Sequence, residues 1–454
     1  MNQANIDTSI FKAYDIRGIY PTQLDEHIAE GVAKSFINIL KPTQIILGRD
    51  CRTSGPSLHQ VVLSTLLKHG VSVIDIGQAS TDMYYYACAT KNLPGIMITA
   101  SHNPKEYNGF KMVRKIPYFF TGDDEIARIK NMIVDQNFGA LDTSKQGQVE
   151  NWDVMPEFID KLLEKVTPSN WKPTTIVADT ANGMVGPIIQ ALEPHLPQTT
   201  IIPMYFEPDG NFPNHGGDPL QPENRQDILK KISENNTDFG VMTDPDGDRF
   251  FVIDNKGRFI QGDFLTAILA EYFLNQKPGA KIVYDIRASK VVPETITSLG
   301  GVPLYNRVGH SYIKKRMIDE DALFGGEVTG HYYFTDFFYC DSGILTFVFL
   351  LDFLNTKEQT LSQIIDDMES KYFISGEINS KVESVPSILE KLEKIYQSSA
   401  NEILKVDGLS VEFENWRFNV RGSNTEPLIR LNLEATSKGL MEEKRDEVLA
   451  QIRS

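Results

Sequence analysis

The sequence predicts an α/β protein of four domains: three related α/β domains with mixed, largely parallel sheets, then a smaller C-terminal α+β domain. Three observations lead there. At 454 residues the chain exceeds what one hydrophobic core usually organises. Apolar, β-branched segments that end in an aspartate recur three times. From about Tyr372 onward the texture changes to shorter strands and two helical stretches.

The recurring segments are Gln44-Ile-Ile-Leu-Gly-Arg-Asp50, Thr175-Ile-Val-Ala-Asp179 and Lys281-Ile-Val-Tyr-Asp285, each read as a buried strand. After each come a segment of helical length and a second apolar strand, Val71–Ile76, Thr200–Met204 and Val302–Tyr305. Strand, helix, strand in that order favours parallel βαβ units.

A third short strand then runs into a polar loop: Gly95-Ile-Met-Ile into Thr99-Ala-Ser-His-Asn-Pro104, Phe239-Gly-Val-Met into Thr243-Asp-Pro-Asp-Gly-Asp-Arg249, and Ala322-Leu-Phe-Gly into Gly326-Glu-Val-Thr-Gly-His331. A threefold internal repeat is the simplest account. Ligands of open parallel sheets bind beyond the carboxyl ends of the strands, so the domains are expected to surround a central cleft into which these loops converge.

Helical segments near Val154–Val166 and Asp263–Phe273 mark joins, placing the domains at 1–153, 154–260, 261–370 and 371–454. In the last, helices are expected around Ile388–Leu404 and Lys438–Ile452, with the loop Arg421-Gly-Ser-Asn-Thr-Glu-Pro427 between them.

Composition narrows the function. A hydrophobic fraction of 41% and a charged fraction of 23% are ordinary for a globular chain. The net charge of -16 opposes nucleic-acid and anionic-membrane partners, which need a basic stripe, so any phosphate ligand must meet a local cluster of Arg and Lys. Cys51, Cys88 and Cys340 are scattered and odd in number, which points to reduced thiols rather than disulfides or zinc. The most apolar run, Ile344–Leu354, is too short to span a membrane and carries Asp352, so a cytoplasmic protein is expected.

Asp244-Pro-Asp-Gly-Asp sets three carboxylates two residues apart around Gly247, which suits a hard cation such as Mg²⁺. A solvated acidic turn would explain the spacing equally well; the preceding apolar strand and Arg249 favour the cation. The EF-hand alternative lacks its twelfth-position Glu, since Asn255 stands there.

Ser101 is a candidate nucleophile, although Ser-His-Asn-Pro alone reads more simply as a turn. Its neighbour His102 is no evidence of a hydrolase, because adjacent residues seldom pair as nucleophile and base, and G-x-S-x-G is absent. Arg421 to Pro427 suits an anion nest, and Glu327, Thr329 and His331 suit sugar hydroxyls, though both loops are also ordinary polar turns in isolation. Neither a Walker A sequence nor G-x-G-x-x-G appears.

Together and in this order, from Phe11-Lys-Ala-Tyr-Asp-Ile-Arg-Gly18 to Arg421–Pro427, these loops resemble those of the α-D-phosphohexomutase superfamily, in its phosphomannomutase/phosphoglucomutase group. The resemblance implies phosphoserine at Ser101, and Mg²⁺ held by Asp244, Asp246 and Asp248 with the Ser101 phosphate. Arg249 would steady that loop or the phosphoryl group. Glu327, Thr329 and His331 would contact the sugar, Thr329 replacing a commoner Ser, while Arg421, Ser423, Asn424 and Thr425 grip the phosphate that is not reacting. Tyr14, Arg17 and Lys111 resemble residues lining the catalytic cleft, and Arg287 and His310 resemble substrate contacts of the third domain. One departure is Gly216-Gly217, where relatives often carry His-Pro.

The implied activity is interconversion of hexose 6-phosphate and hexose 1-phosphate, of mannose or glucose, through a 1,6-bisphosphate that also serves as activator. His331, Lys111 and Arg17 are all candidates for the general base. The expected partners are hexose phosphates, without nucleic acid or membrane, for a monomer or dimer. Competing readings are a phosphoglucosamine mutase, a metal-dependent sugar phosphatase and a sugar-phosphate sensor.

Overall fold

Each of the three predicted strand–helix–strand repeats is present in the computed structural model, which describes residues 6–422 and 428–454. The predicted phosphate-loop residues Ser423, Asn424 and Thr425 lie outside the described residues. The chain forms two compact units, Met1–Phe259 with His331–Glu358, and Ile260–Gly330 with Gln359–Ser454.

In the first unit, strand Gln44–Arg49 runs parallel to Ser72–Gln78 on one side and to Gly95–Ile98 on the other. Tyr107–Lys115 then returns antiparallel beside Gly95–Ile98. The second repeat copies this order: Thr174–Asp179 lies between Thr199–Met204 and Phe239–Thr243, both parallel to it, and Phe250–Asp254 returns antiparallel. Gly95–Ile98 and Phe239–Thr243 are buried at every position, as strands covered on both faces should be.

Ile45, Leu47, Ile96, Ile98 and Phe110 join Phe36 and Leu58 of the flanking helices in one core. Helix Glu26–Leu40 starts where the Asp25 side chain accepts from the Ile28 N–H and stops at Lys41 in the left-handed region. The apolar run predicted near Ile344 forms helix Gly343–Thr356, and its Asp352 accepts a 2.7 Å hydrogen bond from the Trp171 indole. Among the described residues no helix is long and apolar enough to cross a membrane.

In the second unit, Lys281–Asp285 lies between Val302–Asn306 and Phe324–Gly326, all parallel. The C-terminal sheet is wholly antiparallel, in the order Phe373–Lys381, Leu428–Ala435, Trp416–Gly422, Leu409–Glu412, Glu402–Leu404. Its strands alternate: Phe418, Val420, Ile429, Leu431 and Leu433 enter a core, while Arg417, Asn419, Arg421, Arg430, Asn432 and Glu434 take the other face.

The helix predicted at Ile388–Leu404 is Val385–Tyr396, and Glu402–Leu404 is a strand. Between them lies Gln397-Ser-Ser-Ala-Asn401, whose hydroxyl and amide residues favour turns over helix interiors. The other C-terminal helix spans Lys438–Arg453, capped where Ser437 accepts from the Leu440 N–H.

Candidate active site

The loop after Gly95–Ile98 carries Ser101 with φ of 51°, a left-handed conformation uncommon outside glycine. The turn is held by the Ser101 N–H donating to Thr99 Oγ1 at 2.9 Å. Ser101 Oγ donates to Asp244 Oδ2 at 2.8 Å and stands 3.2 Å from His102 Nδ1. The adjacent Ser and His therefore do meet, because the left-handed turn brings their side chains together. Burial, with Arg249 and Arg17 close by, pushes His102 well below its ordinary pKa.

Beneath the loop lies Arg52, fully buried. Its Nη2 donates to the carbonyls of Ser101 and Asn103, at 2.6 and 2.7 Å, and Nη1 donates to those of Pro104 and Tyr107, at 2.8 and 2.9 Å. Asp50 pairs with its Nε at 3.3 Å. A second guanidinium, Arg17, is held by Asp15 at 2.7 Å and donates to Asn103 Oδ1 at 2.8 Å and the Ala100 carbonyl at 3.3 Å.

The aspartate loop follows Phe239–Thr243, with Gly247 at φ of 80° where a Cβ would come within 2.6 Å of Val185. Gly217 crowds the same loop: a Cβ there would lie 2.4 Å from Pro245, so the unusual Gly-Gly pair lets its segment rest on the loop. Asp244, Asp246 and Asp248 are buried, and each offers a carboxylate oxygen within 4.8 Å of the others. Thr81 Oγ1 and Lys111 Nζ each donate to Asp246 Oδ2 at 2.7 Å, and Lys111 also reaches Asp248 Oδ2 at 2.5 Å.

Asp246 Oδ1 and Asp248 Oδ1 are buried without a hydrogen-bond partner among the described residues. Buried carboxylate oxygens need hydrogen bonds or a cation, and an all-oxygen set suits a hard divalent ion, so these residues fit Mg²⁺. Burial and the neighbouring Asp246 and Asp248 raise the Asp244 pKa well above the carboxylate range. Asp246 is also buried, yet Lys111 holds it below its ordinary value. Burial alone would discharge Lys111; Asp246 and Asp248 outweigh it and keep the ammonium charged.

His331 joins this cluster in the first unit. Its Nδ1 lies 2.8 Å from Asp341 Oδ2, and its Nε2 accepts from Arg249 Nε at 3.1 Å. A ring nitrogen that accepts from a guanidinium carries no proton, so the network assigns the Nδ1–H tautomer. Tyr14 sits half-buried on the bend before strand Ile16–Ile19.

The second unit gathers another group of predicted residues. Arg287 is clamped by Asp285, Nη2 to Oδ2 at 2.9 Å, and Asp285 Oδ2 also accepts from the Val328 N–H at 2.9 Å, which fixes the loop bearing Glu327 and Thr329. Glu327 is buried and lies near enough to Arg287 to favour its charge. His310 opens helix His310–Glu320, and Arg421 lies buried near the end of Trp416–Gly422.

Asp15, Asp50, Arg52, Thr81, Asp285 and Asp341 were not singled out by sequence reasoning. A signal existed: Asp15-x-Arg17, Asp50-x-Arg52 and Asp285-x-Arg287 share one spacing, and each forms an ion pair. At the three repeated strand ends the aspartate accepts from the N–H two residues on, Arg52, Ala181 and Arg287, at 3.0, 2.9 and 2.9 Å. In the second repeat His215 Nε2 takes the arginine's place on Asp179, at 3.0 Å.

Comparison with known proteins agrees with this architecture. Models described as phosphoglucomutase/phosphomannomutase alpha/beta/alpha domains I, II and III match residues 8–138, 156–257 and 261–372, and the C-terminal domain model matches 377–451. A phosphomannomutase of Vibrio cholerae is 38% identical over 459 residues, covering 98% of this chain and 99% of that protein. One from Escherichia coli K12 is 36% identical over 447 residues, 97% of this chain and 98% of that one. A solved phosphoglucomutase/phosphomannomutase family protein of Burkholderia thailandensis superimposes with a TM-score of 0.89 at 31% identity, over 99% of this chain and 98% of that chain. With four domain models in order along it and full-length relatives above 30% identity, the chain belongs to the phosphoglucomutase/phosphomannomutase family.

Proposed function

We propose that the protein is a phosphohexomutase that interconverts hexose 6-phosphate and hexose 1-phosphate, of mannose or glucose, through phosphorylated Ser101. One observation supports the reading: the Ser101 hydroxyl donates to Asp244, one of three clustered and buried aspartates, and the other two, Asp246 and Asp248, each keep an oxygen without a hydrogen-bond partner among the described residues. A solvated acidic turn would not be buried, and a binding protein has no need of a hydroxyl in that place.

In the transfer, O1 or O6 of the sugar attacks the phosphorus on Ser101, the P–Oγ bond breaks, and a 1,6-bisphosphate forms. Asp244, Asp246, Asp248 and the Ser101 phosphate would hold Mg²⁺, which when bound would supply positive charge for the transferred oxygens. The attacking hydroxyl loses its proton to His331 Nε2, whose lone pair is oriented by the contact of Nδ1 with Asp341. Arg17 and Lys111 are poor bases because carboxylates hold both as cations, so they serve as positive charge. Arg249, now donating to His331, turns to the phosphoryl group in the transfer.

Glu327 and Thr329 hold sugar hydroxyls, with Arg287, His310 and Tyr14 as further substrate contacts. Arg421, with Ser423, Asn424 and Thr425, holds the phosphate that is not reacting. After the first transfer the bisphosphate reorients and returns its other phosphate to Ser101, so added 1,6-bisphosphate primes the dephosphorylated enzyme.

The test incubates the protein and its Ser101→Ala variant with Mg²⁺, a trace of glucose 1,6-bisphosphate, and mannose 1-phosphate or glucose 1-phosphate. Interconversion lost in the variant supports the reading and ranks the sugars. Free phosphate without interconversion would replace it with a sugar phosphatase, and no turnover of either sugar would redirect it to an amino sugar or a sensor.

A further inference from the structure

The polar face of the C-terminal sheet carries an arrangement that ordinary strand pairing disfavours. Arg421 stands directly opposite Arg430 in the antiparallel pair of Trp416–Gly422 with Leu428–Ala435. Like charges so placed repel and destabilise a sheet. Both Arg421 Nε and Arg430 Nε are buried without a hydrogen-bond partner among the described residues.

The neighbouring strand supplies the counter-charge by an irregularity. Phe373–Lys381 pairs with Leu428–Ala435, but between Ile374 and Glu377 it spends one residue more than its partner, with Gly376 in the left-handed region. Without that bulge Glu377 would oppose Leu431 and face the apolar core. With it, Glu377 opposes Asn432 and joins the polar face. Its Oε1 accepts from Arg430 Nη1 at 3.0 Å, and its Oε2 accepts from Arg287 Nη1 at 3.4 Å.

The third guanidinium is served poorly: Arg421 Nη2 is 3.8 Å from Glu377 Oε2, outside hydrogen-bond reach. Arg287 already spends Nε and Nη2 on Asp285. Among the described residues Glu377, 28% exposed, thus faces three arginines at once, bonding two of them and holding Arg421 only at ion-pair distance, with Asp407 adding a further charge near Arg421. A phosphate, with more acceptor oxygens and more charge, satisfies such a set better than a carboxylate does.

We propose that Glu377 is a positioning residue that acts as the resident counter-anion of this cluster, holding Arg430 and Arg287 in place while no phosphate is present and giving up these partners when a phosphate docks on Arg421. The inference rests on the reading of Arg421 as the grip on the non-reacting phosphate. A phosphate must leave that grip for the bisphosphate to reorient, and a carboxylate that competes for the same guanidiniums keeps the hold from becoming too tight. Glu377 therefore weakens phosphate binding and favours release.

The experiment measures inorganic phosphate binding by titration calorimetry in the full chain, for the wild type, Glu377→Gln, Arg421→Gln and the double variant, together with kcat and KM for the hexose phosphate. Glu377→Gln should bind phosphate roughly 3- to 10-fold more tightly. It should also lower KM without raising kcat, and the tightening should vanish in the double variant. Thermal melts should show it less stable than wild type in phosphate-free buffer and regaining that loss as phosphate is added. Glu377→Asp, which keeps the charge, should stay close to wild type in affinity. Arg421→Gln binding phosphate as well as wild type would overturn the reading of the site itself. Binding lost in Arg421→Gln but unchanged or weaker in Glu377→Gln would overturn the role of Glu377 alone.

Discussion

Arg52 donates to the backbone carbonyl of Ser101 at 2.6 Å from a position with no exposure to solvent. The conformation of the candidate nucleophile is therefore set from below, by a side chain that need not touch substrate. Ser101 stays in the left-handed region because the same guanidinium also binds three further carbonyls of its loop.

Replacing Arg52 separates charge from shape. Arg52→Lys keeps a cation beside Asp50 but cannot span four carbonyls, so kcat should fall about 100-fold, the scale of a misplaced reacting group, while the protein remains folded. Arg52→Met strands the buried Asp50 carboxylate and should cost about 3–5 kcal/mol in urea unfolding. Unchanged kcat in the lysine variant would show that the loop holds its own shape.

Metal removal should stop turnover. A chelator is expected to abolish interconversion and added Mg²⁺ to restore it, and Asp248→Asn should lower kcat by about 100-fold or more at saturating Mg²⁺, the scale of a lost electrostatic contact to the reacting group. Full activity after exhaustive chelation would remove the cation from the mechanism.

Gly247→Ala tests the aspartate loop by geometry alone. The alanine would adopt a φ of 80° with its Cβ 2.6 Å from a Val185 methyl, so unfolding free energy should drop by about 1–3 kcal/mol. A variant as stable as wild type would mean that the loop relaxes freely.

The His215–Asp179 pair should make stability depend on pH. Burial opposes the imidazolium, but the Asp179 hydrogen bond and charge outweigh it and raise His215 above its ordinary 6.5. A raised folded pKa contributes stability that is fully present below about pH 6.5 and lost as pH rises through the folded value. Urea midpoints of wild type and His215→Gln should therefore differ most near pH 6 and converge toward pH 9. A difference independent of pH would assign the contact to packing.

The parts of this molecule legible in the sequence were those whose signal is local. Gln44–Arg49, Thr174–Asp179 and Lys281–Asp285 announce themselves as apolar runs stopped by aspartate, and Asp244-x-Asp246-x-Asp248 keeps its carboxylates together whatever the rest of the chain does. Arg52, Asp341 and Glu377 were invisible for the opposite reason. Arg52 meets its loop 49 residues on, Asp341 meets His331 through a hairpin, and Glu377 meets its arginines through a one-residue bulge. The helix expected at Ile388–Leu404 ran too long because its apolar spacing continues into the strand Glu402–Leu404.

The aspartate at the end of each repeated central strand is one socket used three times. It always takes a backbone N–H two residues on, and it always keeps a second oxygen for a basic side chain. What differs is the plug: a guanidinium under the serine loop, an imidazole in the middle repeat, a guanidinium beside the arginine cluster. Of these three plugs only the imidazole is an ordinary acid–base group, and Asp179 raises its pKa. The fold is thus modular at this point, and an engineer wishing to retune its acid response could exchange that one imidazole while leaving the wiring of the other two sockets untouched.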